Sequence, residues 1–293
     1  MKLFNNFSQL YENFKNIIHL FRIKVYPLKS IYKSNLNFKR NNDIKDGLSN
    51  LVMSSNNRFI AKKRISDLNK INDSLNNFSC YFYSHKKRDE YMSSKWVNSE
   101  ILEIYNKSIF QQMKADIFRY CFLYDNGGYW LDIKSNLFFN PNNYFPNECS
   151  TQLLISTNLI TENIFTNKLT ENIFTNKSKV LNNYTNNRML TNWFIGARKN
   201  SPFLLKLLKN IIKDYPKHFG VQYPIPKRAI LEFTGPIQLT KTYFEYDKKF
   251  EVVLLDEFDH EIEHEAKYGR KLNLLDDIFY THYSKVSNSK IIS

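Results

Sequence analysis

Glycine is scarce in this 293-residue chain, with only seven, and cysteine is scarcer still, with three. So little glycine excludes collagen-like and glycine-rich linker architectures. Cys80, Cys121 and Cys149 are odd in number and far apart, and none belongs to a Cys-x-x-Cys pair, so neither a disulfide framework nor a zinc site is expected. Reduced thiols in a cytosolic setting fit that usage. No uninterrupted apolar run approaches the ~18 residues of a membrane-spanning helix. The N-terminus also lacks a compact apolar stretch ahead of a small-residue cleavage site. A cytoplasmic location is therefore expected, with room for peripheral attachment at the inner face of a membrane. Gly-x-Gly-x-x-Gly, Walker and Gly-x-Ser-x-Gly motifs are all missing, which argues against dehydrogenase, NTPase and esterase chemistry.

What is present is apolar and basic. Hydrophobic residues make up 42% and aromatics 16%, enough for a sizeable core and too much for intrinsic disorder. The net charge of +14 raises the question of nucleic acid. Half of that surplus lies in Met1–Arg40, where eight cations meet a single anion, Glu12. The remainder mixes signs as an ordinary surface does, and the Asn-, Lys-, Ile-, Phe- and Tyr-rich bias is one that AT-rich coding produces by itself. Leu3, Phe7, Leu10, Phe14, Ile17, Ile18 and Phe21 recur at helical spacing and Pro27 ends the pattern, giving a basic amphipathic N-terminal extension over residues 1–29. Such a helix suits packing on the protein's own core or lying on an anionic membrane surface.

Residues 30–293 read as one domain. Ser79–Tyr83 is predicted as a strand, Ser99–Tyr124 as one or two helices with little polar face, and Tyr129–Ile133 as a short buried strand entered through Asp125-Asn126-Gly127-Gly128. A helix over Ser201–Tyr215, and strands near Val252–Leu255 and Ile278–Tyr280, continue the alternation into an α/β layer architecture. A nonapeptide is duplicated across residues 160–177, which two copies make a tolerated surface loop rather than a solenoid.

One constellation carries chemistry. Asp116 and Arg119 stand three apart, hence on one helix face, in a helix otherwise apolar. Buried charges must be paired or used. Asp132 follows a hydrophobic strand, and in open α/β sheets ligands bind beyond the carboxyl ends of strands. Three charged groups converging there suit a ribose, a diphosphate and a metal ion.

Ala115-Asp116…Arg119-Tyr120…Gly127-Gly128-Tyr129-Trp130-Leu131-Asp132-Ile133-Lys134 resembles the glycosyltransferases with a DXD-type sugar-binding region. These include yeast initiating and inositol-phosphoceramide mannosyltransferases and bacterial capsular enzymes, with the clostridial glucosylating toxins as distant relatives. Fainter echoes are Asn192-Trp193-Phe194-Ile195-Gly196-Ala197, Thr234-Gly235-Pro236 and His282. The resemblance implies a GT-A-type, Rossmann-like nucleotide-sugar domain with a mixed central sheet and added helices. It implies transfer of a hexose, with retention, from a UDP- or GDP-sugar to a glycan, lipid-linked saccharide or surface polymer. Donor binding would fall to Asp116, Arg119, Tyr129, Asp132 and Gly235, catalysis to Asp132, Lys134 and Asn192, and Mn²⁺ or Mg²⁺ to Asp132 with His282.

The departure from the pattern is Lys134, which stands where the family's second, metal-touching Asp is expected. A protonated lysine cannot ligate a metal, though it can supply positive charge to a diphosphate. Lys134 therefore keeps a second reading open, a catalytically inactive sugar-nucleotide or glycan-binding relic; a basic nucleic-acid-binding protein is a third, and no nucleic-acid partner is expected. His260 and His264, four apart in an acidic stretch, lack the His-Glu-x-x-His form. His19, His85 and His218 read as surface residues.

Overall fold

A computed structural model describes residues 28–30, 47–55, 59–61, 66, 68–71, 78–133, 135–137, 140–144, 153–159, 188–256, 262–263 and 286–293. The helix expected ahead of Pro27, the duplicated nonapeptide and the strand near Ile278–Tyr280 lie outside them, as do Cys149, His19, His260 and His264.

The described residues form a six-stranded mixed sheet from β1 (Asn50–Ser54), β2 (Ser79–Tyr83), β3 (Gly128–Leu131), β4 (Leu153–Leu159), β5 (Arg188–Ala197) and β6 (Val252–Asp256). The order across the sheet is β6-β4-β5-β3-β1-β2. Neighbours pair in parallel except at β5, which runs antiparallel to both β3 and β4. The α/β class and the mixed central sheet expected of a GT-A-type domain are thus present. Among the described residues no helix is long and apolar enough to cross a membrane.

Helices α1 (His85–Lys95), α2 (Glu100–Lys107), α3 (Gln111–Asn126), α4 (Pro202–His218), α5 (Pro226–Phe233) and α6 (Pro236–Phe244) contribute to one apolar cluster, with Val52, Tyr81, Tyr83, Trp130, Ile155 and Ile195 of the sheet. Local chemistry sets their starts. Ser84, Ser99 and Ser201 each accept a backbone N–H of the first turn, and proline opens α4, α5 and α6. The stretch expected as one or two helices is two, α2 and α3, broken at Ser108–Phe110.

The apolar helix foreseen before the Asn-Gly-Gly turn is α3, and Met113, Ile117, Phe118, Cys121 and Phe122 on it are fully buried. Each such side chain contributes about 1.5–3 kcal/mol by leaving water. Gly127 and Gly128 have φ of +68° and +108°, a region side chains avoid. A Cβ on Gly128 would also stand 2.6 Å from the Asn50 carbonyl oxygen, so β3 reaches its register against β1 only with glycine there. Side chains then alternate along β3. Tyr129 and Leu131 enter a second cluster on the far face, while Trp130 faces α3.

Three short antiparallel pairs complete the described structure: Leu28–Ser30 with Phe59–Ala61, Asn136–Leu137 with Ile262–Glu263, and Gln222–Tyr223 with Ser289–Lys290. Ile291 and Ile292 beyond the last pair are fully buried.

Candidate active site

Asp132 leaves the sheet directly after β3, with its backbone N–H donating to the Trp193 carbonyl at 2.8 Å. The Gly127-Gly128 turn folds β3 back along α3, so the end of β3 returns to the middle of that helix. That is where Asp116 and Arg119 sit. The guanidinium lies between the two carboxylates, with Nη2 at 3.3 Å from Asp116 Oδ1 and 3.3 Å from Asp132 Oδ1. Its Nη1 donates to the Asn192 carbonyl of β5. The guanidinium carbon stands 4.7 Å from the centroid of the Trp130 ring, a cation–π arrangement. Arg119 Nε is buried without a hydrogen-bond partner.

Asn192 closes the other side. Its Nδ2 donates to Asp116 Oδ1 at 3.0 Å and to the Tyr120 hydroxyl at 3.3 Å. Thr234 Oγ1 donates to Asp116 Oδ2 at 3.2 Å, and Tyr120 donates to the Thr234 carbonyl at 2.9 Å. The next residue, Gly235, starts α6, and a Cβ there would come within 2.9 Å of Leu231 Cα, so glycine lets α5 and α6 meet at this corner.

The charged groups differ sharply in exposure. The side chains of Arg119 and Asp116 are 6% and 10% exposed, whereas that of Asp132 is 25% exposed. Burial pushes the Asp116 carboxyl up to about 7, against the pull of Arg119; the Asp132 charge adds to the rise, and the Thr234 and Asn192 hydrogen bonds hold it down. Asp132 is thus the outward member of the group, with Asp116 and Arg119 behind it. One of its oxygens, Oδ1, takes both Arg119 and the Trp130 indole N–H, the latter at 2.8 Å.

The structure brings together five of the residues singled out in the sequence: Asp116, Arg119, Asp132, Asn192 and Gly235. Tyr129 sits elsewhere. It lies on the opposite face of β3, stacked on Phe194 at 6.1 Å, with its hydroxyl bonded to Asn142. Lys134 and His282 lie outside the described residues. The sequence reading missed the parts played by the Trp130 indole and the Tyr120 hydroxyl. A signal for the first was available, since residues two apart on a strand share a face. His85 is exposed, as expected. His218 differs from expectation, because its Nδ1 pairs with the Tyr223 hydroxyl at 2.7 Å and its ring packs on Phe233 at 4.5 Å. Burial lowers its pKa.

Among the described residues no group of three or more His, Cys, Asp or Glu side chains could hold a metal ion. The donor set on offer is one hard carboxylate, Asp132, with a cation beside it. That set fits Mg²⁺ or Mn²⁺ where a diphosphate supplies the remaining oxygens, as hard ions are commonly held by one or two carboxylates together with substrate phosphates.

Residues 45–151 match the family model described as a glycosyltransferase sugar-binding region containing a DXD motif. That span takes in Asp116, Arg119 and Asp132. Similar solved structures include the PaToxG glycosyltransferase, at 14% identity over 70% of this chain and 73% of that one, with a TM-score of 0.40. The UDP-bound glycosyltransferase domain from the YGT toxin is 13% identical over 66% of this chain and 56% of that one, with a TM-score of 0.34. The apo form of mouse xyloside xylosyltransferase 1 is 11% identical over 83% of this chain and 82% of that one, with a TM-score of 0.36. No curated protein matches the sequence.

Proposed function

We propose that the chain, whose residues 45–151 match the model of a glycosyltransferase sugar-binding region, is a glycosyltransferase that moves a hexose from a UDP- or GDP-sugar, with retention, to a glycan, lipid-linked saccharide or surface polymer. The observation that supports this reading most is the outward placement of Asp132 at the carboxyl edge of the sheet, backed by a buried cation and a second carboxylate. Transfer requires a nucleoside diphosphate to leave with growing negative charge, so the site must supply fixed positive charge. Arg119 is a cation beside Asp132, and its bonds to Asp116, Asp132 and the Asn192 carbonyl hold it in place. In this geometry Asp116 and Asn192 act by fixing Arg119 and each other, while Asp132 meets the ribose or the donor sugar. Gly235 keeps the start of α6 against the same corner. A divalent ion, Mn²⁺ or Mg²⁺, would be held by Asp132 and supply Lewis-acid charge to the leaving diphosphate. Lys134 would add its own positive charge there. Residues 1–29, with their cationic excess, would dock the enzyme on an anionic membrane where lipid-linked or surface glycans are built.

The test is a donor screen. Purified protein is incubated with UDP-glucose, UDP-galactose, UDP-N-acetylglucosamine and GDP-mannose, with and without Mn²⁺, and release of free sugar is followed by NMR, which also reports the anomer first formed. Slow hydrolysis of one donor with retention is the expected result. Tight binding of a donor with no turnover on any acceptor would replace this reading with a donor-binding relic, the alternative favoured by Lys134 in the place of a carboxylate.

A further inference from the structure

We propose that Trp130 is a positioning residue for sugar transfer, its indole N–H holding one oxygen of Asp132 and so fixing the orientation in which the carboxylate presents its other oxygen to the donor. The inference rests on the reading that Asp132 meets a nucleotide sugar.

Trp130 is 1% exposed, yet its Nε1 donates to Asp132 Oδ1 at 2.8 Å. Arg119 Nη2 reaches the same oxygen at 3.3 Å, and the guanidinium is itself held against the Trp130 ring. Both donors therefore converge on Oδ1, and among the described residues Oδ2 receives no hydrogen bond. The carboxylate torsion of aspartate is broad and roughly two-fold. At the edge of a sheet such a group would swing between orientations, and two donors on one oxygen select a single one. One of the two is the tip of a side chain whose ring is packed in the core. Trp130 lies 6.1 Å from Phe118 and pairs in register with Val52 and Ile195, so its indole cannot follow the carboxylate if the latter turns. A ring needed for packing alone would serve as well without an N–H. Tryptophan is the side chain that fills this volume and still presents a donor at its rim. Rigid support of this kind is what keeps a reacting group within the fraction of an ångström that transfer chemistry needs.

The competing account is that Asp132 merely satisfies a buried indole N–H. The two accounts part on kinetics. Replacing Trp130 with β-(3-benzothienyl)alanine keeps the ring shape and removes only the N–H; Trp130→Phe removes the N–H and some volume. Donor turnover, donor KM and melting temperature are measured for both variants beside the wild type, with Asp132→Asn as the reference for loss of the carboxylate. For the benzothienyl variant we expect kcat to fall about tenfold, the size of one hydrogen bond to a charged group, with KM within about twofold and the melting temperature lowered by no more than about 5 °C; a fall in kcat without a matching change in KM marks an interaction spent on the reacting geometry. Wild-type kcat in the benzothienyl variant, with Asp132→Asn impaired, overturns the inference and leaves the transfer reading standing. A wild-type protein that turns over none of the donors overturns the transfer reading and this inference together.

Discussion

Asn192 donates its side-chain amide to Asp116 across 76 residues of sequence, joining β5 to the middle of α3 at 3.0 Å. That bond, with the one from Thr234, gives Asp116 neutral donors in addition to Arg119. The carboxylates and the cation between them behave as one unit, and their substitutions should separate accordingly.

Asp132→Ala removes the outward carboxylate and leaves Arg119 paired with Asp116. Transfer should fall at least 100-fold, while the melting temperature stays within about 4 °C of wild type, as expected for a loss of ~1 kcal/mol in a chain of this size. Thermal unfolding beside a donor-hydrolysis assay checks both halves, and collapse of folding would make Asp132 structural.

Arg119→Met should be far more damaging to stability. It removes the cation from between Asp116 and Asp132, leaving the more buried of the two carboxylates without charge compensation. At pH 8, where Asp116 is ionised, breaking a buried pair from one side costs about 3–5 kcal/mol, readable as a lower urea midpoint. Arg119→Lys should recover only part of it, since one ammonium cannot serve the Asn192 carbonyl and both carboxylates in the guanidinium's fixed fork.

The pH dependence of folding follows from Asp116, whose carboxyl is raised from its ordinary 3.8 to about 7 by burial. Between those values the folded protein holds a proton that the unfolded chain has released. Stability from this group is therefore full below about pH 4 and is lost as pH rises through 7. Asp116→Asn removes the proton, so the difference in unfolding free energy between variant and wild type should move in the variant's favour from pH 5 to pH 8. Chemical denaturation at several pH values tests this; a difference independent of pH would place the Asp116 pKa near its ordinary value.

Lys134→Asp restores the second carboxylate of the motif. Turnover in the variant should depend more steeply on Mn²⁺ than in the wild type, as a hard oxygen ligand replaces a fixed positive charge. Rates measured across a Mn²⁺ titration decide it, and superimposable curves would count against Lys134 standing in for part of the metal's charge.

Much of this site could be read locally. Asp116 and Arg119 declare themselves by helical spacing in an apolar stretch, and Asp132 by its place after a glycine turn and a buried strand. Asn192 and Gly235 were reachable only through resemblance, because their closeness to Asp116 depends on how β5 and α6 pack, and no local pattern encodes that. Strand β1 escaped notice because Leu51-Val52-Met53 is a short apolar run in an Asn-rich stretch, too brief to show a period. The environment of His218 was illegible for the same reason as that of Asn192. Its partner Tyr223 is only five residues away, but the ring it packs on, Phe233, arrives from another helix.

The single antiparallel strand in the middle of the sheet also bears on how activity first appears in a newly made chain. Since β5 sits between β3 and β4, both of which precede it in sequence, neither the carbonyl that anchors Arg119 nor the amide that holds Asp116 exists at the site until β5 has inserted between them. Contacts so distant along the chain form late, because the entropy of closing long loops must be met first. Refolded protein should regain its helical circular dichroism before it regains catalysis, and that lag would time the arrival of β5.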